Sequence, residues 1–210
     1  LDVVTVLMAN TPEAVIAFYA INKIGAIANM VHPLSAEEEI KHSLNATKSV
    51  MLIAINVSCK KVMNIIEETD VYKTVVVSPG DSMTPLLKFG YYITQGRKVV
   101  VPKKSEDFMF WNDFMNKGKH YTQKVLVKTT KEQAAAILHS GGTTGTPKNI
   151  VLTNGNMNAL SIQGRIIFPA VKSGDSMLTI LPLFHCFGLC VCVHAVMCLN
   201  GGCILVPQFD

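Results

Sequence analysis

Ser140-Gly141-Gly142-Thr143-Thr144-Gly145-Thr146-Pro147-Lys148 is the segment of this chain best equipped for chemistry. Its glycines allow the backbone to approach a ligand closely and to adopt dihedral angles that side chains oppose. Its four hydroxyls and neighbouring N–H groups form a dense set of donors, and Lys148 adds a mobile positive charge. Phosphate oxygens are recognised by that combination of short donors, little bulk and one cation. The segment therefore reads as a loop for a nucleotide's phosphates, with Ser140, Gly141, Gly142, Thr143, Thr144, Gly145, Thr146 and Lys148 as the binding residues. It is not a Walker loop, in which Gly-Lys-Ser/Thr opens a helix. Here Pro147 precedes Lys148, and the β-branched run Asn149-Ile150-Val151-Leu152-Thr153 follows. With the apolar run Ala134-Ala135-Ala136-Ile137-Leu138-His139 before it, the loop is expected to join two strands, without a helix dipole.

A second segment of interest is Leu181-Pro182-Leu183-Phe184-His185-Cys186-Phe187-Gly188-Leu189. His185 is expected at a strand-to-helix junction, where α/β proteins gather ligand groups. Taken alone, a histidine on an apolar segment is more often a satisfied core residue. A third segment, Ile21-Asn22-Lys23-Ile24-Gly25-Ala26-Ile27-Ala28-Asn29-Met30-Val31-His32-Pro33, reads as a helix end, a Gly-Ala turn, a strand and a proline.

These three segments, in this order, resemble the signatures of the adenylate-forming superfamily, and most of all its acyl-CoA synthetases. The match runs from Ile21 to Leu189 and so covers most of the chain. The resemblance implies a layered α/β/α fold with mostly parallel sheets, here part of the large N-terminal domain. It also implies the reaction of the parent enzyme. A carboxylate attacks the α-phosphorus of ATP, pyrophosphate leaves, and a thiol such as coenzyme A captures the acyl-adenylate. ATP, Mg2+ and coenzyme A are thus the implied cofactors and co-substrates. Thr143 and Thr144 would hold β- and γ-phosphate oxygens. Phe184, His185 and Gly188 would line the acyl pocket, and Lys148 would touch the γ-phosphate or anchor its loop to a carboxylate. Two positions depart from the pattern: Asn149 stands where the family has Gly, and Asn154 where it tends to His. In the family the adenine contacts, the acid that helps hold Mg2+, the hinge and the C-terminal domain with its catalytic lysine would follow Asp210. The chain is accordingly expected to be a fragment, inactive alone, with no catalytic residue and no metal ligand of its own.

The elements that must position these residues follow from pattern. Strands are expected over residues 3–8, 26–31, 49–55, 74–78, 176–181 and 203–206. Helices are expected over residues 12–24, 36–45, 59–68, 84–93, 105–115, 156–167 and 184–199, the second opened by a capping box at Ser35 and the sixth capped by Asn154. Continuous β-branched runs between amphipathic helices indicate a parallel sheet covered on both faces. The length of 210 residues suits one domain, with a soft division near residue 128. The apolar content of 49% excludes a disordered chain. The net charge of +4 is spread out, and the densest lysines (Lys117, Lys119, Lys124, Lys128, Lys131) lack the interleaved aromatics of a nucleic-acid surface. Five of the six cysteines crowd into residues 186–203 without zinc-site spacing, and they read as small hydrophobes of a buried helix. Residues 186–206 are long and apolar enough to raise a membrane span, yet His194, Asn200 and Gly201-Gly202 divide them into helix, turn and strand.

The leading expectation is a cytoplasmic acid–thiol ligase, or one peripheral to a membrane. The apolar surroundings of His185, free of acidic residues, favour a fatty or aryl acid over an amino acid. The alternatives are an adenylation enzyme with another thiol acceptor, a free-standing phosphotransferase or ATPase, and a non-catalytic nucleotide- or acyl-binding module. The phosphotransferase needs a metal-holding acid near the loop, and after Lys148 only Asp175 and Asp210 are acidic.

Overall fold

The computed structural model describes residues 1–123, 125, 127–140 and 148–207. The elements run β1 (Val3–Leu7), α1 (Pro12–Lys23), β2 (Ile27–Val31), α2 (Glu37–Ala46), β3 (Ser49–Ile55), α3 (Cys59–Ile65), β4 (Lys73–Val77), α4 (Pro85–Thr94), β5 (Phe108–Phe110), α5 (Trp111–Lys119), β6 (Ala134–Ser140), β7 (Lys148–Thr153), α6 (Asn154–Ile167) and β8 (Ser176–Thr179). A π-helix (Phe187–Ala195), α7 (Val196–Cys198) and β9 (Gly202–Leu205) follow. The strands of the main sheet lie in the order β5-β4-β3-β1-β2-β6-β7. All its pairings are parallel except β6 with β7, which is antiparallel. β8 and β9 form a separate parallel pair.

Alternation along the central strands supplies two cores. Val4 and Val6 of β1 join Phe18 and Ile21 of α1, Trp111, and Leu189 and Val193 of the π-helix on one face. Leu7, with Leu52 and Ala54 of β3, packs against Ile40 and Leu44 of α2 and Val62 of α3 on the other. Period-two alternation buried on both faces is what a sheet between two helical layers requires. Helix α1 starts as its sequence indicates: the Thr11 hydroxyl accepts the Ala14 N–H, Pro12 occupies the first turn, and Gly25 ends the helix at φ +82°.

Three helix boundaries differ from expectation. At α2 the N-cap is Ala36, which has no acceptor, so only half of a capping box forms, with Glu39 accepting the Ala36 N–H. At α6 the cap is Thr153, not Asn154: its hydroxyl accepts the Asn156 N–H while the Asn156 side chain accepts the Thr153 N–H. Residues 105–115 do not form one helix. Phe108–Phe110, three apolar residues of which Met109 is buried, pairs with β4 at the sheet edge, and α5 begins only at Trp111. The segment after His185 winds as a π-helix rather than the expected α-helix. Its cysteines divide: Cys190 and Cys192 are buried, Cys186 and Cys198 exposed and Cys203 half-buried, so the small-hydrophobe reading holds for only part of the cluster. Among the described residues no helix is long and apolar enough to cross a membrane.

A buried polar chain crosses the centre of the α2-facing side. The Ser49 and Thr5 hydroxyls lie 2.6 Å apart, the Asn29 amide donates to Thr5 Oγ1 at 2.8 Å, and Asn29 Oδ1 meets His139 Nε2 at 2.7 Å. Asn29 also donates to Ser43 Oγ on α2 at 3.1 Å. Because a carbonyl oxygen can only accept, His139 carries a proton on Nε2. On the opposite layer, His194 Nδ1 faces the Tyr19 hydroxyl at 3.1 Å, and its Nε2 faces Asn158 Oδ1 at 3.1 Å. Burial is the main force lowering the pKa of both His139 and His194.

Two outcomes follow from this packing. The unfolded chain, with ordinary imidazoles, binds more protons than the folded one below about pH 6.5. Stability is therefore complete above that pH and falls as acidification proceeds through it. Urea midpoints taken from neutral to mildly acidic pH should decline, and less steeply in His194→Gln; a flat profile contradicts the buried neutral imidazoles. At Gly188, an added Cβ would strike the Pro182 carbonyl oxygen and reach within 2.6 Å of the Leu181 oxygen. Gly188→Ala should thus cost at least about 2 kcal/mol through overpacking against rigid backbone. Thermal unfolding measures this, and an unchanged midpoint contradicts the close approach.

Candidate active site

The carboxyl ends of β2 and β6 lie side by side, and their outgoing connections diverge. From β2 the chain passes through α2 to β3 beyond β1, whereas from β6 it turns back into β7. Such divergence opens a crevice at the carboxyl edge of a parallel sheet. A cleft of about 370 Å³ occupies it. Met30, Val31 and His32 line it from the end of β2, and His139 and Ser140 from the end of β6. Ser35, Glu38, Glu39, His42 and Ser43 line the α2 side, and Phe184 and His185 close it.

Ser140 and His185, from segments far apart in sequence, thus border one cavity. Ser140 pairs in register with Lys148, so the intervening loop is carried on a two-stranded antiparallel hairpin, as its flanks suggested. Gly141, Gly142, Thr143, Thr144, Gly145 and Thr146 lie outside the described residues. Lys148 is exposed. Phe184 is buried and His185 exposed. The Phe184 ring lies 4.7 Å from that of His185 and 4.3 Å from that of His32. Gly188 does not line the cleft; it is buried against the Leu181–Pro182 backbone and brings the π-helix close to it.

What aims Phe184 and His185 is a residue that carried no signal of its own. Asn10, buried just beyond β1, donates to the carbonyl oxygens of Thr179 at 3.1 Å and Leu181 at 3.0 Å. Its own Oδ1 accepts the Leu183 N–H at 2.9 Å. Three bonds from one side chain clamp the apolar segment to the end of the central strand. The Pro182 carbonyl then accepts the His185 N–H at 3.0 Å, closing the turn that presents the imidazole.

His32, His42 and His139 were also given no role by their local sequence, yet all three face the cleft with His185. The signal was topological: His32 follows β2 and His139 ends β6 at the same sheet edge. His32 Nδ1 accepts the Leu34 N–H at 2.9 Å, which leaves the neutral ring's proton on Nε2. Burial, then the neighbouring His185 and Lys61, lowers the His32 pKa, against a smaller upward pull from Glu39. The cleft therefore combines an apolar floor with neutral imidazole and hydroxyl donors, and carboxylates on its α2 wall. Among the described residues, no three metal-ligating side chains gather into a metal site.

Comparisons with known proteins agree with this architecture. The chain is 26% identical over 211 residues to the long-chain-fatty-acid–CoA ligase of Bacillus subtilis, covering all of this chain and 38% of that protein. It is 24% identical to 4-coumarate–CoA ligase 1 of Oryza sativa, covering 99% of this chain and 34% of that one. The chain thus spans little more than a third of the curated relatives it matches. Among solved structures, the anthranilate CoA ligase AuaEII in complex with anthranoyl-AMP superposes with a TM-score of 0.81 at 19% identity, over 99% of this chain and 36% of that one. The long-chain-fatty-acid–CoA ligase FadD1 of Archaeoglobus fulgidus gives 0.70 at 23% identity, over 100% and 36%. These likenesses establish the fold, and the match of residues 1–210 to the AMP-binding enzyme family establishes that the chain belongs to it.

Proposed function

We propose that this chain is part of the N-terminal domain of an ATP-dependent carboxylic acid–CoA ligase. The observation that carries the reading is the single cleft bordered by both Ser140, where the Gly/Thr-rich loop begins, and His185. A loop that grips phosphates and a segment that contacts an acid must face one space if the two substrates are to react. Long-chain-fatty-acid–CoA ligases among the relatives support the same class.

The reaction joins two anions. A carboxylate oxygen attacks the α-phosphorus of ATP, the bond from that phosphorus to the bridging oxygen breaks, and pyrophosphate leaves with the electron pair. The thiol of coenzyme A then displaces AMP from the acyl carbon. The carboxylate is already ionised at neutral pH, so the protein's task is alignment and stabilisation of charge on the leaving group. In this reading Thr143 and Thr144 donate to the β- and γ-phosphates, Gly141, Gly142 and Gly145 permit the approach, and Ser140, Thr146 and Lys148 complete the cradle. Phe184 and His185 face the acid, and Gly188 serves them from behind as a packing residue. A Mg2+ ion accompanying the triphosphate would supply counter-charge to the leaving pyrophosphate. The apolar floor of Met30, Val31 and Phe184 suits a fatty or aryl acid. The remaining machinery is supplied by the rest of the enzyme, and residues 1–210 alone do not turn over.

Protein expressed from the complete reading frame should exchange labelled pyrophosphate into ATP only when given its acid, with long-chain fatty acids the most effective of a fatty and aryl panel. ATP hydrolysis to ADP without an acid would instead identify a phosphotransferase, and binding of ATP without exchange would identify a binding module. Asn10→Ala leaves the Leu181 carbonyl and the Leu183 N–H without their partner, while the Thr179 carbonyl keeps the Val206 N–H, at about 1–3 kcal/mol for each unpaired group that water cannot reach. Its exchange rate should fall at least about ten-fold, in line with misaligned reactants, while the KM for ATP changes less. A normal rate with a lowered melting temperature would confine Asn10 to stability.

A further inference from the structure

Two thiols stand against each other beside the cleft. Cys186 Sγ lies 3.9 Å from Cys190 Sγ, at the start of the π-helix. The backbone of Cys186 is already helical, at φ −53° and ψ −45°, so side chains four residues apart share one face. Cα atoms at that spacing along a helix stand about 6 Å apart, within the roughly 4.4–6.8 Å that a disulfide spans. Both cysteines are free, and the ligase chemistry uses neither.

The pair is unequal. Cys186 is exposed and follows directly on His185, at a cleft that small reactants must enter. Cys190 is 2% exposed and belongs to the core with Leu189 and Val193. Burial, followed by the neighbouring Cys186, pushes the Cys190 thiol up to about 12. The outer sulfur is therefore the one an oxidant meets first, and the inner one is held within reach to resolve it. Other cysteines nearby point elsewhere: Cys198 Sγ faces His194 Nε2 at 3.6 Å, and Cys203 donates to the Cys192 carbonyl oxygen at 3.4 Å.

We infer that Cys186 and Cys190 are a thiol pair that a hydroperoxide joins in a reversible disulfide, displacing His185 as the bridge closes. The Cys186 sulfur attacks the terminal peroxide oxygen, the O–O bond breaks, and the Cys186 sulfenic acid forms as water or an alcohol departs. The Cys190 sulfur then attacks the Cys186 sulfur, the S–O bond breaks, and the hydroxyl group leaves with the Cys190 proton as water. The two thiols together lose two electrons and the peroxide gains them; a small dithiol reverses the change. Bonding distance requires the sulfurs to approach by about 2 Å. Cys190 is fixed in the core, so the movement falls on Cys186 and the turn before it. That turn carries His185, whose N–H donates to the Pro182 oxygen and whose carbonyl accepts the Leu189 N–H, each at 3.0 Å. The bridge owes nothing to the ligase reading, whereas its effect on turnover rests on that reading.

The test treats protein from the complete reading frame with an equimolar portion of hydrogen peroxide and then alkylates the remaining thiols. Chymotrypsin, cutting after Phe187 and Leu189, leaves the two cysteines on separate peptides joined only by the bridge. That joined pair is the expected product. Acid-dependent pyrophosphate exchange should fall with it at least about ten-fold, as for misaligned reactants, and return with dithiothreitol. Carbethoxylation of His185 by diethyl pyrocarbonate should slow on oxidation, a readout that needs no turnover. Cys186→Ala should form no bridge, keep the exchange rate of the reduced wild type and ignore peroxide, whereas Cys198→Ala should respond as the wild type does. No bridge after peroxide, or a bridge mapped to Cys192 and Cys203 or between two chains, overturns the inference. So does a mapped bridge that leaves both exchange and His185 modification unchanged. If the reduced protein shows no exchange but the bridge forms and slows modification of His185, the ligase reading fails and the thiol pair stands.

Discussion

The pairing of β2 with β6 is the constraint from which the rest of the site follows. It joins residues about a hundred positions apart, and it alone brings His32 and Ser140 to one edge. Apolar contact does not specify this neighbour, because any β-branched strand could extend the sheet beside β2. The Asn29 side chain does. Its amide and carbonyl oxygen need Thr5 and Ser43 on one side and His139 on the other, and in the buried layer an unmet partner is costly. A register slip of one residue would turn His139 to the opposite face and leave Asn29 Oδ1 orphaned. The polar chain thus trades some burial energy for a unique neighbour and register, and the register sets where the loop after Ser140 emerges.

The second half of the cleft is held by a different device. The segment carrying Phe184 and His185 joins the body through Asn10 and through the core packing of Leu183 and Phe184, with no strand pairing to the main sheet among the described residues. Hydrogen bonds from a single amide fix direction as well as distance, which a sliding apolar contact would not. The two devices converge on β1: Thr5 within it links to Asn29, and Asn10 just beyond it clamps residues 179–183. The central strand therefore sets both walls from one rigid element.

Local pattern revealed much of this. The alternation of β-branched runs with amphipathic stretches marked most of the strands, and Thr11-Pro12 and Gly25 marked α1 to within a residue. The segment after Ser140 stood out because phosphate recognition would demand such a rare composition, and most of it lies outside the described residues. What stayed hidden was non-local. Asn10, His32 and His139 have ordinary neighbours in sequence, and their roles exist only once strand order is known. Cap residues misled at Ser35 and Asn154, where a polar side chain stood one position from the residue with cap geometry. Trp111 drew residues 105–110 into a helix because its own helix follows directly on a three-residue strand, too short for a period to declare itself.

Charge is unevenly placed around the cleft. Glu38 and Glu39 stand on the α2 wall, and burial disfavours protonation of His32 and His139, so that side of the cavity offers neutral donors and negative charge. That wall is unfavourable to a polyanion, whereas at the far edge Ser140 pairs in register with the exposed Lys148. The positive charge thus stands at the β7 side of the cleft, and the floor between Met30 and Phe184 is apolar. The two walls therefore differ in charge while sharing one apolar floor, a division set by the β2–β6 neighbourhood.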